Sequence, residues 1–228
     1  MFERISIIIP VASQEAQLDV LLDDLKSIKT RSKSSASEGT RTKSVKAGEA
    51  KARNVFLWFL HADSRVSEDN LNALAQSLQQ EPDGLHYFDL AFDKLGLLAL
   101  NAWGANMRSR LFGTPFGDQG FCIAKAQFEK AGGYPENVPY GEDLLFVWCM
   151  RQVGIRLNRI PSKLVTSARK YDIHGWLKLT LLYQWLVLLL TLCAAEILGF
   201  STNASRCKSS VRVRSRVARA GGRCSGWY

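Results

Sequence analysis

Cysteine is scarce and unpatterned in this 228-residue chain: there are five, Cys122, Cys149, Cys193, Cys207 and Cys224, and no two form a C-x-x-C pair. An odd count without paired spacing points away from a disulfide framework and from a zinc site, and predicts a reducing compartment. Long apolar runs are lacking near the amino terminus, where the five-residue run Ile5 to Ile9 is ended by Pro10. That is shorter than the apolar region of a signal peptide, so no secretory leader is expected. Acid is missing from residues 204–228, which hold seven Lys/Arg, and residues 30–42 carry no hydrophobic residue but Ala36. The first of these reads as a disordered basic tail, the second as a flexible loop in which no strand can be placed.

What is present is the composition of one globular domain, 46% hydrophobic and 22% charged. The net charge of +9 is unevenly placed. Residues 26–53 hold nine Lys/Arg against Glu38 and Glu49, a net of +7, and the tail adds another +7, so the remaining body carries −5. A basic chain with an acidic body argues against nucleic-acid recognition spread over the domain surface, and no nucleic-acid partner is expected.

Buried strands alternate with amphipathic helices. The run ISIII reads as a strand covered on both faces, and Leu18, Leu21, Leu22, Leu25 and Ile28 set a helical period from about Gln14 to Ser27. Val55 to Leu60 is a second buried strand running into His61-Ala62-Asp63-Ser64, and Ser67 is placed as the N-cap of a helix reaching about Gln80. A strand over Leu85 to Phe92 and a helix over 95–112 follow. Gly120 to Ala124 reads as a short strand before a helix ended by Gly132-Gly133. Glu142 to Val153 reads as a helix stopped at Gly154, and Ile155 to Ile160 is strand-like. The fold class expected is α/β, a mixed, mainly parallel sheet flanked by helices, with ligands beyond the carboxyl ends of the strands. From Leu179 to Ala195 there are 17 residues without charge. That is at the lower limit for crossing a bilayer, which takes about 20 apolar residues. A spanning, re-entrant or interfacial helix and one packed on a second copy all remain open.

Four elements can carry chemistry. Asp63, directly after a buried strand, can hold a divalent cation whose other ligands come from a diphosphate and water, or is simply a loop acid, with His61 as a weak ligand or packing residue. Glu142 and Asp143 open a helix, where acids serve the helix dipole or accept a proton from an attacking hydroxyl. Asp118 and Gln119 lie between two glycines in a loop whose backbone can approach a ligand, or in a tight turn. Arg169 and Lys170 suit a diphosphate or a membrane surface.

In their order, ISIIIP, FLWFLHADS, FGDQGFCIAKAQFEKAGGYP, YGEDLLFVW and LVTSARKY resemble glycosyltransferase family 2, the GT-A (Rossmann-like) fold and its small "transferase 2" branch, over about residues 4 to 193. The resemblance implies transfer of a sugar from a nucleotide-sugar donor to an acceptor hydroxyl, with inversion and with Mg²⁺ or Mn²⁺. It implies Asp63 as metal ligand and Asp143, helped by Glu142, as base. Arg169, Lys170, Glu15 and His61 fall on the donor side, Asp118 and Gln119 on the acceptor side. The domains expected are 1–172 for the transferase unit with 30–53 a basic flexible segment, 173–200 a hydrophobic, membrane-facing helix, and 201–228 the tail. The expected location is cytoplasmic and peripheral to a membrane, with a homo-oligomer possible. Because residues 30–42 show no donor-binding strand, an inactive, membrane-associated binding module is the alternative.

Overall fold

The computed structural model describes residues 4–11, 17–28, 34–38, 54–94, 96–134 and 141–185. Its frame is a seven-stranded mixed sheet of β1 (Ile5–Val11), β2 (Ser34–Glu38), β3 (Phe56–Phe59), β4 (Ser64–Arg65), β5 (Leu85–Phe92), β6 (Cys122–Ala124) and β7 (Leu157–Thr166), in the order β2-β1-β3-β6-β5-β7-β4. β2 and β3 flank β1 in parallel, β6 runs against both β3 and β5, β7 is parallel to β5, and β4 is antiparallel to β7. Five strands therefore point one way and their carboxyl ends share one edge. The helices are α1 (Leu18–Ser27), α2 (Glu68–Gln80), α3 (Leu97–Phe112), α4 (Lys125–Lys130), α5 (Glu142–Gln152), α6 (Arg169–His174) and α7 over 176–185.

The alternation of side chains along a strand explains the two cores. Ile5, Ile7 and Ile9 of β1 join Phe56 and Trp58 of β3 beneath α1 and α2, whose buried leucines are Leu21, Leu25, Leu71, Leu74 and Leu78. Ile8, Leu57 and Phe59 point the other way, into Phe121, Phe128, Tyr134 and Phe146 beneath α4 and α5. α2 starts where Ser67 was placed: the Ser67 hydroxyl accepts from the Asn70 amide while the Asn70 side chain accepts from the Ser67 N–H, so both ends of the cap are satisfied.

Both prolines in the sheet sit where a missing N–H does no harm. Ile8 offers its carbonyl toward β3, accepting from the Leu60 N–H at 3.0 Å. Pro10, two residues on, faces the same side, where β3 has already ended. Pro161 lies in β7 at a register shift, for the ladder steps from Phe88↔Ile160 to Asp89↔Lys163 and skips Pro161 and Ser162. The strand expected to stop at Ile160 thus continues through this bulge to Thr166.

Three expectations are corrected. A strand does form in the polar loop: Ser34–Glu38 pairs with β1 in register Ile7↔Ser34 to Val11↔Glu38. An edge strand takes its order from the hydrogen-bonding groups of its neighbour, and the apolar run of β1 supplies the template that SSASE does not announce. The flexible reading of 30–53 therefore fails at 34–38; its other residues, 30–33 and 39–53, lie outside the described residues. The single helix expected from 173 is instead two, α6 and α7, divided at Gly175 with φ +84°. Among the described residues no helix is long and apolar enough to cross a membrane, and 186–200 and the tail 201–228 lie outside them. Finally, Cys149 is disulfide-bonded, where the cysteine spacing indicated no disulfide framework. Cys122 is free and buried, and burial pushes its thiol pKa far up.

Candidate functional site

The carboxyl edge of the sheet gathers the residues singled out from the sequence. β3 ends at Phe59 and the chain turns through Ala62-Asp63 into β4, a turn closed by the Ser64 N–H donating to the His61 carbonyl at 3.1 Å. β4 pairs antiparallel with the end of β7, Ser64 opposite Thr166. That register brings Asp63 beside Ser167, immediately before Arg169 and Lys170 in the first turn of α6. From the other side the Gln17 amide, just after the β1 connection, donates to the Ser167 hydroxyl at 3.1 Å. The carboxyl end of β5 joins them, because the Asp93 carboxylate accepts from the Ala168 N–H at 2.8 Å and the Asp93 N–H donates to the Thr166 carbonyl. Connections of β1, β3, β5 and β7 thus meet at one place. Glu15 lies outside the described residues.

β6 runs opposite to β3, so the loop before it, 116–121, also arrives at this edge. The Phe59 N–H donates to the Phe121 carbonyl at 2.7 Å. Gly120 has φ +64°, and a Cβ there would lie 2.6 Å from Leu164 Cδ2 and 3.3 Å from Leu60 Cδ2. Glycine is required on both counts. Gln119 is fully buried, and its amide is used inside the protein: Oε1 accepts from the Ser109 hydroxyl (2.8 Å) and the Phe116 N–H (3.1 Å), and Nε2 donates to the Phe88 carbonyl (2.9 Å). The Phe88 carbonyl faces the β6 side of β5, where pairing is limited to His86↔Cys122, so Gln119 serves a carbonyl that no strand reaches. The side chain expected on the acceptor side therefore shapes the loop, while Asp118 beside it is half-buried at its surface.

The charge of Asp118 reaches two residues that sequence reading assigned no role. Arg108 of α3 lies over the Phe116 ring, 3.9 Å from its centroid, and donates to the Thr114 carbonyl at 3.2 Å. Burial lowers the Arg108 pKa, and the negative charge of Asp118 pushes it back up. Tyr171 of α6 packs edge-on to Phe92 at 5.5 Å and to Tyr183 of α7 at 6.3 Å. Burial raises the Tyr171 pKa, a hydrogen bond to Asn101 lowers it, and Asp118 raises it. The signal for Arg108 was present, since Arg108 and Arg110 are the sole charges of an otherwise uncharged helix. Tyr171 carried no such signal, because aromatic residues more often fill cores than sites.

Glu142 and Asp143 occupy the first turn of α5 after Gly141, with φ +76°. α5 turns back through 153–156 into β7, with the Ile155 N–H donating to the Met150 carbonyl, so it runs antiparallel to β7 and its first turn lies toward the carboxyl edge. Phe146, one turn on, stacks on Tyr134 with centroids 4.2 Å apart and 4° between planes, which fixes the helix against the sheet. The topology therefore carries Asp63, Asp118, Glu142, Asp143, Arg169 and Lys170 to one edge. Among the described residues no three His, Cys, Asp or Glu come together as a metal cage. The donor set fits an ion shared with a ligand, one carboxylate from Asp63 and the remaining oxygens from diphosphate and water.

No known family and no curated protein matches the sequence. Solved structures do match in fold. S. aureus TarS 1-349 aligns with TM-score 0.58 at 12% identity, covering 98% of this chain and 74% of that one. The same protein in complex with UDP-GlcNAc aligns with TM-score 0.55 at 13% identity, covering 72% of this chain and 58% of that one. Against the longer TarS structure, also at TM-score 0.55 and 13% identity, the match covers 75% of this chain and 38% of that one. This chain thus spans well under half the length of that structure, and the likeness is one of fold.

Proposed function

We propose that the protein is a glycosyltransferase that moves a sugar from a nucleotide-sugar donor to an acceptor hydroxyl. One observation carries the reading: connections of β1, β3, β5 and β7 meet at the sheet's carboxyl edge, with Asp63 beside Ser167, just ahead of Arg169 and Lys170 in the chain. Open α/β sheets bind ligands at such an edge. The fold is that of TarS, a GT-A-type glycosyltransferase whose structure includes complexes with UDP-GlcNAc and UDP. β2, standing beside β1, favours the transfer reading over an inactive binding module.

In this reading the nucleotide lies over the ends of β1 and β2, with its diphosphate between Asp63 and the cations of α6. Asp63 would hold Mg²⁺ or Mn²⁺, which when bound would neutralise charge on the leaving group. Arg169 and Lys170 contribute positive charge to the same diphosphate. Asp143 takes the proton of the attacking hydroxyl, Glu142 orients it, and Asp118 holds the acceptor from the 116–121 loop. Attack opposite the departing diphosphate inverts the anomeric carbon. The reaction runs near a membrane surface, a reading supported by the uncharged run Leu179 to Ala195 and the basic tail.

Calorimetry of UDP and GDP with the purified chain, with and without Mn²⁺, together with a panel of nucleotide sugars, tests this. Binding that is strengthened by Mn²⁺ and loses that strengthening in Asp63→Asn is expected. No nucleotide binding and no turnover of any donor would overturn the proposal.

A further inference from the structure

The outward faces of α3 and α7 are apolar. On α3 the inner positions Leu98, Ala102 and Ser109 are buried, whereas Leu97, Leu100, Trp103 and Leu111 face solvent, Leu100 at 60% and Trp103 at 65% exposure. Along α7, Leu177, Leu181 and Trp185 recur every four residues and are exposed, while Leu179 is buried. The usual amphipathic pattern turns apolar side chains inward; here both helices also carry them outward. The two helices are joined, since the Asn101 amide donates to the Thr180 hydroxyl at 2.9 Å. A patch of this composition on two adjoining helices is larger than the scattered apolar residues of an ordinary surface.

We propose that α3 and α7 together form a platform that lies on an anionic lipid bilayer. The charge on the faces selects that occupant. Neither 96–112 nor 176–185 contains a single acid, and their charged residues are Arg108, Arg110 and Lys178. Arg110 and Arg159 share one carboxylate, Asp89, which leaves that cluster net positive. Exposed Arg169 and Lys170 stand at the start of α6, which leads into α7. Two-fold pairing with a second copy would bring the cations of α3 and α7 toward one another with no acid on either helix to meet them, the one acid of α6, Asp172, being paired with Lys94. Leucine and tryptophan with flanking cations are the chemistry that an anionic bilayer interface accepts.

The platform is wired to the proposed site. Asn101 of α3 donates to Thr180 of α7, Tyr171 of α6 packs on Tyr183 of α7, and the charge of Asp118 reaches Tyr171. Docking on lipid would set the 116–121 loop beside the membrane, so the acceptor hydroxyl belongs to a lipid-anchored molecule. That last step rests on the transfer reading; the platform itself does not.

Co-sedimentation of the full chain with phosphatidylcholine vesicles, with and without phosphatidylserine, tests the platform. The wild-type chain is expected to bind the anionic vesicles more tightly. Leu100→Glu/Trp103→Glu is expected to weaken that binding about tenfold or more, since two apolar anchors are replaced by acids. Both positions are exposed, so the variant's circular dichroism and UDP binding should match the wild type. Equal vesicle binding by the variant would overturn the proposal, as would a wild-type chain that ignores vesicles, whether or not it self-associates. A chain that binds vesicles but no nucleotide would refute the transfer reading and leave the platform standing.

Discussion

Replacing Gln119 with leucine removes a side chain whose every polar atom is used inside the protein. The volumes are similar, so the cost comes from the partners left behind. The Phe88 carbonyl, in a fully buried residue, loses the Nε2 donor at 2.9 Å, on the side of β5 where β6 pairs only at His86. An orphaned buried backbone group costs about 1 to 3 kcal/mol. The Phe116 N–H loses its acceptor at 3.1 Å but is only partly buried, so water offsets much of that loss. The single hydroxyl hydrogen of Ser109 can turn wholly to the Ala105 carbonyl, also 2.8 Å away. Together these give about 2 to 4 kcal/mol of destabilisation, read as a lower urea midpoint with unchanged slope. Gln119→Glu supplies a comparison, because a glutamate keeps the acceptor and loses the donor. Protonating it restores a hydrogen for Phe88, so its deficit relative to wild type should shrink as the pH is lowered. A Gln119→Leu protein within about 1 kcal/mol of wild type would refute the assignment of the amide as the partner of a leftover carbonyl.

Two further outcomes follow from buried positions. Gly120→Ala combines a positive φ with a Cβ 2.6 Å from Leu164 Cδ2, and should cost about 2 to 4 kcal/mol in chemical denaturation. An equally stable Gly120→Ala variant would show that the loop can move away from β7 without penalty. His86 is fully buried, with Nδ1 2.7 Å from the Ser77 hydroxyl and Nε2 2.8 Å from the Glu81 carbonyl. A carbonyl can only accept, so Nε2 carries the proton and Nδ1 accepts from Ser77. Burial lowers the His86 pKa below 6.5, an effect partly offset by the bond to the Glu81 carbonyl and by the Glu81 charge. Its contribution to stability is therefore complete above 6.5 and is lost as the pH falls below that value toward the folded-state pKa, where only the unfolded chain takes up the proton. Urea titrations on either side of that window should show the loss, and His86→Gln should flatten it; a wild-type midpoint unchanged across the window would contradict the neutral, buried histidine.

The site was legible in proportion to how local its chemistry is. Asp63 could be placed because a buried strand ends directly before it, and the same holds for Glu142 and Asp143 at a helix start. Gln119 could not be read, because in sequence it is one polar residue in a glycine-bracketed loop, and its partner Phe88 lies 31 residues away. Arg108 and Tyr171 meet Asp118 only after α3 and α6 have packed. β2 was invisible for a different reason: SSASE has no apolar pattern, and pattern is what side chains contribute, whereas an edge strand is held by backbone groups of its neighbour.

By itself the amino-acid sequence determined the alternation of buried strands and helices, the cap at Ser67, the stop at Gly154 and the separation of a basic periphery from an acidic body. These depend on periodicity, caps and composition, which act over a few residues. Only the tertiary structure decided that β2 completes the sheet beside β1, that a distant amide reaches the Phe88 carbonyl, and that α3 meets α7 through Asn101 and Thr180. Each of these requires groups far apart in the chain to meet, and a meeting of that kind is settled by the packing of the whole sheet.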